Sequence, residues 1–123
     1  MVNRKYDLLE RLIDFAVRII FVAEALPNSK AGNHIKSQIL RRGTSPASNY
    51  SESQSAESRA DFIHKLKIAL KELRETRVWI VIIYRRKMVG PESRIEPLIT
   101  KSDELISILF RCVETARKNM SKK

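Results

Sequence analysis

Arginine and lysine are the residues of this chain whose type and spacing suit a chemistry, and that chemistry is the holding of phosphate. Lys30, Lys36, Arg41 and Arg42 lie in the stretch from Ala25 to Ser51, which contains no acid. Arginine grips phosphate through a planar fork of donors, so Arg41 and Arg42 are the first candidates. Between Lys65 and Lys87 eight basic residues stand against two acids, Glu72 and Glu75. Within that stretch Lys67, Lys71 and Arg74 recur at i, i+4 and i+7, which puts them on one side of a helix, with Arg85 extending the ridge. Such a ridge meets phosphates by charge and shape rather than by reading bases, and its grip weakens steeply with salt. The plain alternative is a solvated helix face. The whole chain carries 24 Lys and Arg against 14 Asp and Glu, a net charge of +10. That imbalance points to an anionic partner, RNA or DNA foremost and an acidic lipid surface second.

No constellation for bond-making chemistry accompanies these cations. His34 and His64 form no close motif with each other or with Cys112, so neither a zinc site nor a thiol–imidazole pair is expected. There is no glycine-rich phosphate loop, nucleophile elbow or zincin motif. The expectation is a protein that is not an enzyme and needs no cofactor. Asp61 and His64 are one helical turn apart and suit a surface ion pair. Arg77 falls at the edge of an apolar stripe and needs an acid partner, with Glu52 or Glu24 as the candidates. Trp79 and Tyr84 suit base stacking, although their helical spacing favours a packing role.

The elements that must position these residues are helices. The chain has 123 residues, with 3 Gly and 4 Pro, too few to punctuate an all-β fold. Hydrophobic residues make up 43%, enough for a core in a single domain spanning 1–123. Apolar periodicity predicts a first helix over 4–26, with Leu9, Leu12, Ile13, Ala16, Ile19, Ile20 and Ala23 on its inner face. Its apolar arc also takes in Leu8, Phe15, Val17 and Val22, and is too wide for one stripe. A second helix begins near Lys30. The run from Gly43 to Ser55 has the composition of a loop and contains Pro46, yet its small residues would also suit a closely packed, kinked helix reaching 55. A third helix covers 58–86, capped by Ser58 with Asp61 three residues on, and lined by Phe62, Leu66, Ala69, Leu70, Leu73, Ile80 and Tyr84. A fourth covers 92–119 after the Gly90-Pro91 turn, with Ile95, Leu98, Leu105, Leu109 and Val113 among its inner residues. Short connections make neighbours antiparallel, giving an all-α up-down-up-down four-helix bundle.

The third helix ends in a run that is apolar on every side. Val78, Trp79, Val81, Ile82 and Ile83 lie off the inner stripe and need another cover. A six-residue strand is the weaker reading of this run. The spare apolar surface predicts a homo-oligomer with these five residues at the interface. No signal-peptide core or membrane-length apolar stretch is present, so the chain reads as cytoplasmic and not membrane-bound.

Three segments carry a family resemblance: Gln38 to Ser45, Ser48-Asn49-Tyr50, and Ala56 to Glu72, the last reading Ala-Glu-Ser-Arg-Ala-Asp-Phe-Ile-His-Lys-Leu-Lys-Ile-Ala-Leu-Lys-Glu. Together they resemble the bacterial four-helix-bundle family whose best-known members are encoded by intervening sequences in large-subunit ribosomal RNA genes. The accessory protein of diversity-generating retroelements is similar to this family. The resemblance is specific over about residues 36–80. It implies that 44–53 is helical despite Pro46, and it implies a homo-oligomeric ring, commonly a pentamer. Through the retroelement proteins it further implies nucleic-acid binding and a reverse transcriptase as partner. It carries over no catalytic residue. Ser53 departs from the Gly or Ala that many members have at that place. An adaptor for an acidic partner or for a nucleic-acid enzyme is the alternative reading. A small-molecule-binding bundle would need inward polar residues, of which Thr76 and Arg77 are the few on offer.

Overall fold

In a computed structural model, which describes residues 4–121, four helices account for nearly the whole chain: α1 (Arg4–Ala25), α2 (Lys30–Ser53), α3 (Arg59–Arg86) and α4 (Glu92–Ser121). The architecture is an all-α four-helix bundle, with no strand among the described residues. Its start signals are local. The Ser29 hydroxyl accepts the Gly32 N–H at 3.0 Å, and the Ser58 hydroxyl accepts the Asp61 N–H at 3.0 Å. α3 stops at Lys87, which takes the left-handed conformation (φ 56, ψ 43) that glycine usually fills. There Lys87 N–H bonds the Tyr84 carbonyl and Met88 N–H bonds the Ile83 carbonyl, which satisfies the last turn.

The serine-rich segment is helix as far as Ser53, as the resemblance implied for 44–53. Its polar composition misleads because the hydroxyls fold back onto the helix's own carbonyls. Thr44 Oγ1 donates to the Leu40 carbonyl at 2.6 Å, Ser48 Oγ to the Ser45 carbonyl at 3.0 Å, and Ser53 Oγ to the Tyr50 carbonyl at 2.6 Å. Pro46 is buried and leaves the Arg42 carbonyl without its helical donor; the Ser45 hydroxyl approaches that carbonyl at 3.5 Å. Gly43 has a packing reason. A Cβ there would lie 2.6 Å from Ile19 Cγ2, so α1 and α2 meet backbone to side chain at this point.

Large side chains from all four helices, including Leu12, Phe15, Ile19, Ile39, Leu73 and Leu105, are fully buried in one core. The buried hydroxyls of Ser53, Thr76 and Ser102 each donate to a carbonyl of their own helix, and no described buried side-chain polar atom lacks a partner. α2 packs along α1 and α3, and α3 along α4. Of the neighbouring pairs α1 and α4 touch least, and α1 and α3 sit at diagonal corners.

The inner face of α1 is rotated from the expected one. Leu8, Leu12, Phe15, Ile19, Val22 and Ala23 fill the core, whereas Ile13 and Ile20, expected inside, are exposed. Apolar residues ring most of this helix, so periodicity alone could not choose which arc turns inward.

Candidate nucleic-acid interface

α2 carries no acid before Glu52 in its last turn, and its exposed side carries Lys30, His34, Ser37, Arg41 and Ser48. These positions recur at helical spacing, so the side presents small hydroxyl residues around Arg41. Arg41 is exposed and has no carboxylate partner among the described residues. Its neighbour has a different job. A step of about 100° round the helix carries Arg42 toward α3, where its Nη1 lies 3.1 Å from Glu72 Oε1 and 2.6 Å from Glu75 Oε2. Arg42 Nε also donates to Gln38 Oε1 at 3.2 Å, and Ser45 Oγ donates to the other Glu72 oxygen at 3.3 Å. The absence of nearby acids in sequence therefore misjudged Arg42. Packing delivers two carboxylates from α3, and Arg42 joins helices instead of standing free for phosphate.

Lys67, Lys71 and Arg74 are all exposed and lie together on the outer side of α3, as their spacing requires. Lys67 and Lys71 have no acid partner among the described residues. Arg74 rests its guanidinium 5.9 Å from the centre of the Phe110 ring of α4. The same side continues into Val78 and Ile82, 55% and 40% exposed. Ile83, grouped with them in the expected interface, is 0% exposed and belongs to the core, because it sits one residue farther round the helix. Trp79 and Val81 are half-buried, and Trp79 meets His34 of α2 edge-on at 5.7 Å. The spare apolar surface expected of α1 is made by Ile13, Val17, Ile20 and Phe21, the last 71% exposed, none of which was among the five expected interface residues. Its signal was the excess width of the apolar arc of that helix.

The remaining candidates are structural. Arg77 pairs with Asp103 of α4 at 2.6 Å, not with Glu52 or Glu24. Glu52 instead takes Lys65 at 2.9 Å. Asp61 and His64 form no ion pair with each other. The Tyr84 hydroxyl donates to Glu96 at 3.2 Å, and this bond, reinforced by the carboxylate charge, raises its pKa. Burial pushes up both the Cys112 thiol and the Tyr50 phenol, so Cys112 is held as a thiol rather than a reactive thiolate. Both residues line a cavity of about 630 Å³ near one end of the bundle, together with Arg11, Arg59, Phe62 and Arg111. Among the described residues no group of His, Cys, Asp and Glu could hold a metal, and no helix is long and apolar enough to cross a membrane.

Comparison with known proteins accords with this architecture. A crystal structure of a protein of unknown function from the S23 ribosomal protein family, from Bacteroides thetaiotaomicron, is 37% identical. The match covers 86% of this chain and 97% of that one, with a TM-score of 0.78. No curated protein matches the sequence. The family model for the 23S rRNA-intervening sequence protein matches residues 4–111. With nearly the whole bundle inside that match, the chain belongs to the 23S rRNA-intervening sequence protein family.

Proposed function

We propose that this protein is a non-enzymatic homo-oligomer that binds RNA or DNA through its phosphates, with the outer side of α2 as the contact surface. The observation that carries this reading is Arg41, an exposed guanidinium with no carboxylate partner among the described residues, in a stretch of chain from Ala25 to Ser51 that has no acid to repel phosphate. Lys30 stands on the same side, and Ser37 offers a hydroxyl donor without bulk. The family's ribosomal RNA connection favours RNA as the polyanion. Lys67, Lys71 and Arg74 stand on a separate side that also carries Val78 and Ile82, and such a mixed surface suits a protein neighbour better than phosphate alone.

Oligomerisation covers the apolar sides of α1 and α3, which a lone molecule leaves in water. The pentameric ring implied by the family resemblance is one assembly that would do so. The test of binding is fluorescence anisotropy of a labelled structured RNA at low salt. Arg41→Glu should lower affinity several-fold and reduce the salt slope by about 1. An unchanged isotherm for Arg41→Glu contradicts the assignment. A second reading, an adaptor that recruits a nucleic-acid enzyme such as a reverse transcriptase, is favoured by the same exposed apolar surface. It requires a protein complex that survives nuclease and high salt.

A further inference from the structure

We propose that the outer side of α1 in one copy docks in parallel on the outer side of α3 in the next copy. The inference rests on the homo-oligomer reading above and adds which surfaces meet and in what register. α1 exposes Ile13, Val17, Ile20 and Phe21 and, interleaved with them, Glu10, Asp14 and Glu24. None of these three acids has an ion-pair partner among the described residues, in a chain where 24 Lys and Arg compete for 14 Asp and Glu. α3 exposes Lys71, Arg74, Val78, Ile82 and Arg85 along one line.

The two lines match position by position. From N- to C-terminus α1 reads Glu10, Asp14, Val17, Phe21, Glu24, and α3 reads Lys71, Arg74, Val78, Ile82, Arg85. A nearly constant offset sets acid against base, apolar against apolar, and acid against base again. Both lines advance in steps of three and four residues, the spacing of a helix seam that keeps facing its partner. The parallel register forms three charge pairs. The antiparallel register sets Glu24 against Arg74 and Asp14 against Arg85 but leaves Glu10 opposite Val89.

The fold supplies the matching directions. α1 and α3 occupy diagonal corners and run the same way through the bundle, so a parallel contact leaves every copy pointing alike. The two surfaces differ, so the contact is head-to-tail, and each copy offers one of each. Repetition closes a ring or extends a filament. In either assembly Lys71 and Arg74 belong to the neighbour's carboxylates, whereas Arg41 on α2 stays clear for phosphate.

The experiment uses two variants of the full chain and light scattering at micromolar concentration. One carries Val17→Glu and Phe21→Glu, which block the α1 side. The other carries Val78→Glu and Ile82→Glu, which block the α3 side. All four residues are exposed, so the helical circular dichroism of each variant should equal that of the wild type. Each variant alone should fall to the 14.2 kDa mass of one chain. Mixed in equal amounts, they should form a dimer of about 28 kDa, twice 14.2 kDa, because the mixture retains one intact pair of surfaces. Orientation is read separately: Glu24→Arg should weaken assembly, Arg85→Glu in the same chain should restore it, and Arg74→Glu should not. A mixture that stays at 14.2 kDa overturns the pairing. So do a wild-type mass that persists in either variant and rescue of Glu24→Arg by Arg74→Glu. If the wild type is oligomeric and these variants behave otherwise than stated, this pairing alone fails. A monomeric wild type removes the homo-oligomer reading as well.

Discussion

Arg41 and Arg42 are adjacent in sequence and should have opposite phenotypes. Arg42 bridges Glu72 and Glu75 at 3.1 and 2.6 Å, with its side chain 28% exposed and that of Glu72 14% exposed. Fully exposed ion pairs contribute about 0–1 kcal/mol, and buried hydrogen bonds to charged groups about 1.5–3 kcal/mol. The site lies between these limits, and Arg42→Ala leaves two neighbouring carboxylates facing each other without a cation. The expected loss is about 2–3 kcal/mol. Unfolding entropy of about 2.1 cal/mol/K per residue gives roughly 0.26 kcal/mol/K for a chain of this length, so Tm should fall by about 8–12 °C. Arg41→Ala removes no contact inside the molecule and should stay within about 0.5 kcal/mol, or about 2 °C. Calorimetry and RNA anisotropy on the same samples separate the roles. Arg42→Ala should lose stability and keep RNA affinity at temperatures where it is folded; Arg41→Ala should do the reverse. Equal melting losses, or RNA binding that depends on Arg42 and not on Arg41, would refute the division.

Three further outcomes follow from the packing and the titrating groups. Gly43→Ala should destabilise by about 1–2 kcal/mol in chemical denaturation, because the new Cβ meets Ile19 Cγ2 at 2.6 Å and this clash exceeds the helix-propensity gain of about 1 kcal/mol; Ile19→Ala in the same chain should make the two effects less than additive. Lys87→Gly should raise Tm slightly, since relief of a left-handed lysine (φ 56) gains about 1–2 kcal/mol and glycine's greater unfolded freedom returns about 0.5–1 kcal/mol. Cys112 should react slowly with a disulfide reagent until the protein is denatured. Its folded pKa is raised by burial, so the stability present below the ordinary thiol range should decline as pH climbs above it, and pH-dependent melting of wild type against Cys112→Ala reads that slope.

Helix count and type were legible in the sequence because long apolar periodicity, few breakers and the serine cap at Ser58 all agree. Two features resisted local reading. The hydroxyls between Gly43 and Ser53 look like a linker because composition does not show that they bond back to their own helix. α1 is apolar over so wide an arc that the choice between Ile13 and Phe15 as core residue is made by the neighbours, with Gly43 of α2 admitting Ile19. At the candidate interface, helical spacing correctly put Lys67, Lys71 and Arg74 together. It failed for Arg42, because the neutralising Glu72 and Glu75 are thirty residues or more away in sequence and adjacent only after packing. Ile83 failed by one position: a step of 100° around α3 separates exposed Ile82 from the core.

Binding of a polyanion through phosphate contacts, as proposed above, must show in the salt dependence of RNA affinity. Affinity for a structured RNA, measured by anisotropy over a series of monovalent salt concentrations, should give a straight line of log K against log salt. Each subunit contact neutralised should add about 0.9 to the slope on a duplex, and several contacts across an oligomer should give a steep line. A flat line, or no binding at the lowest salt, would contradict the account.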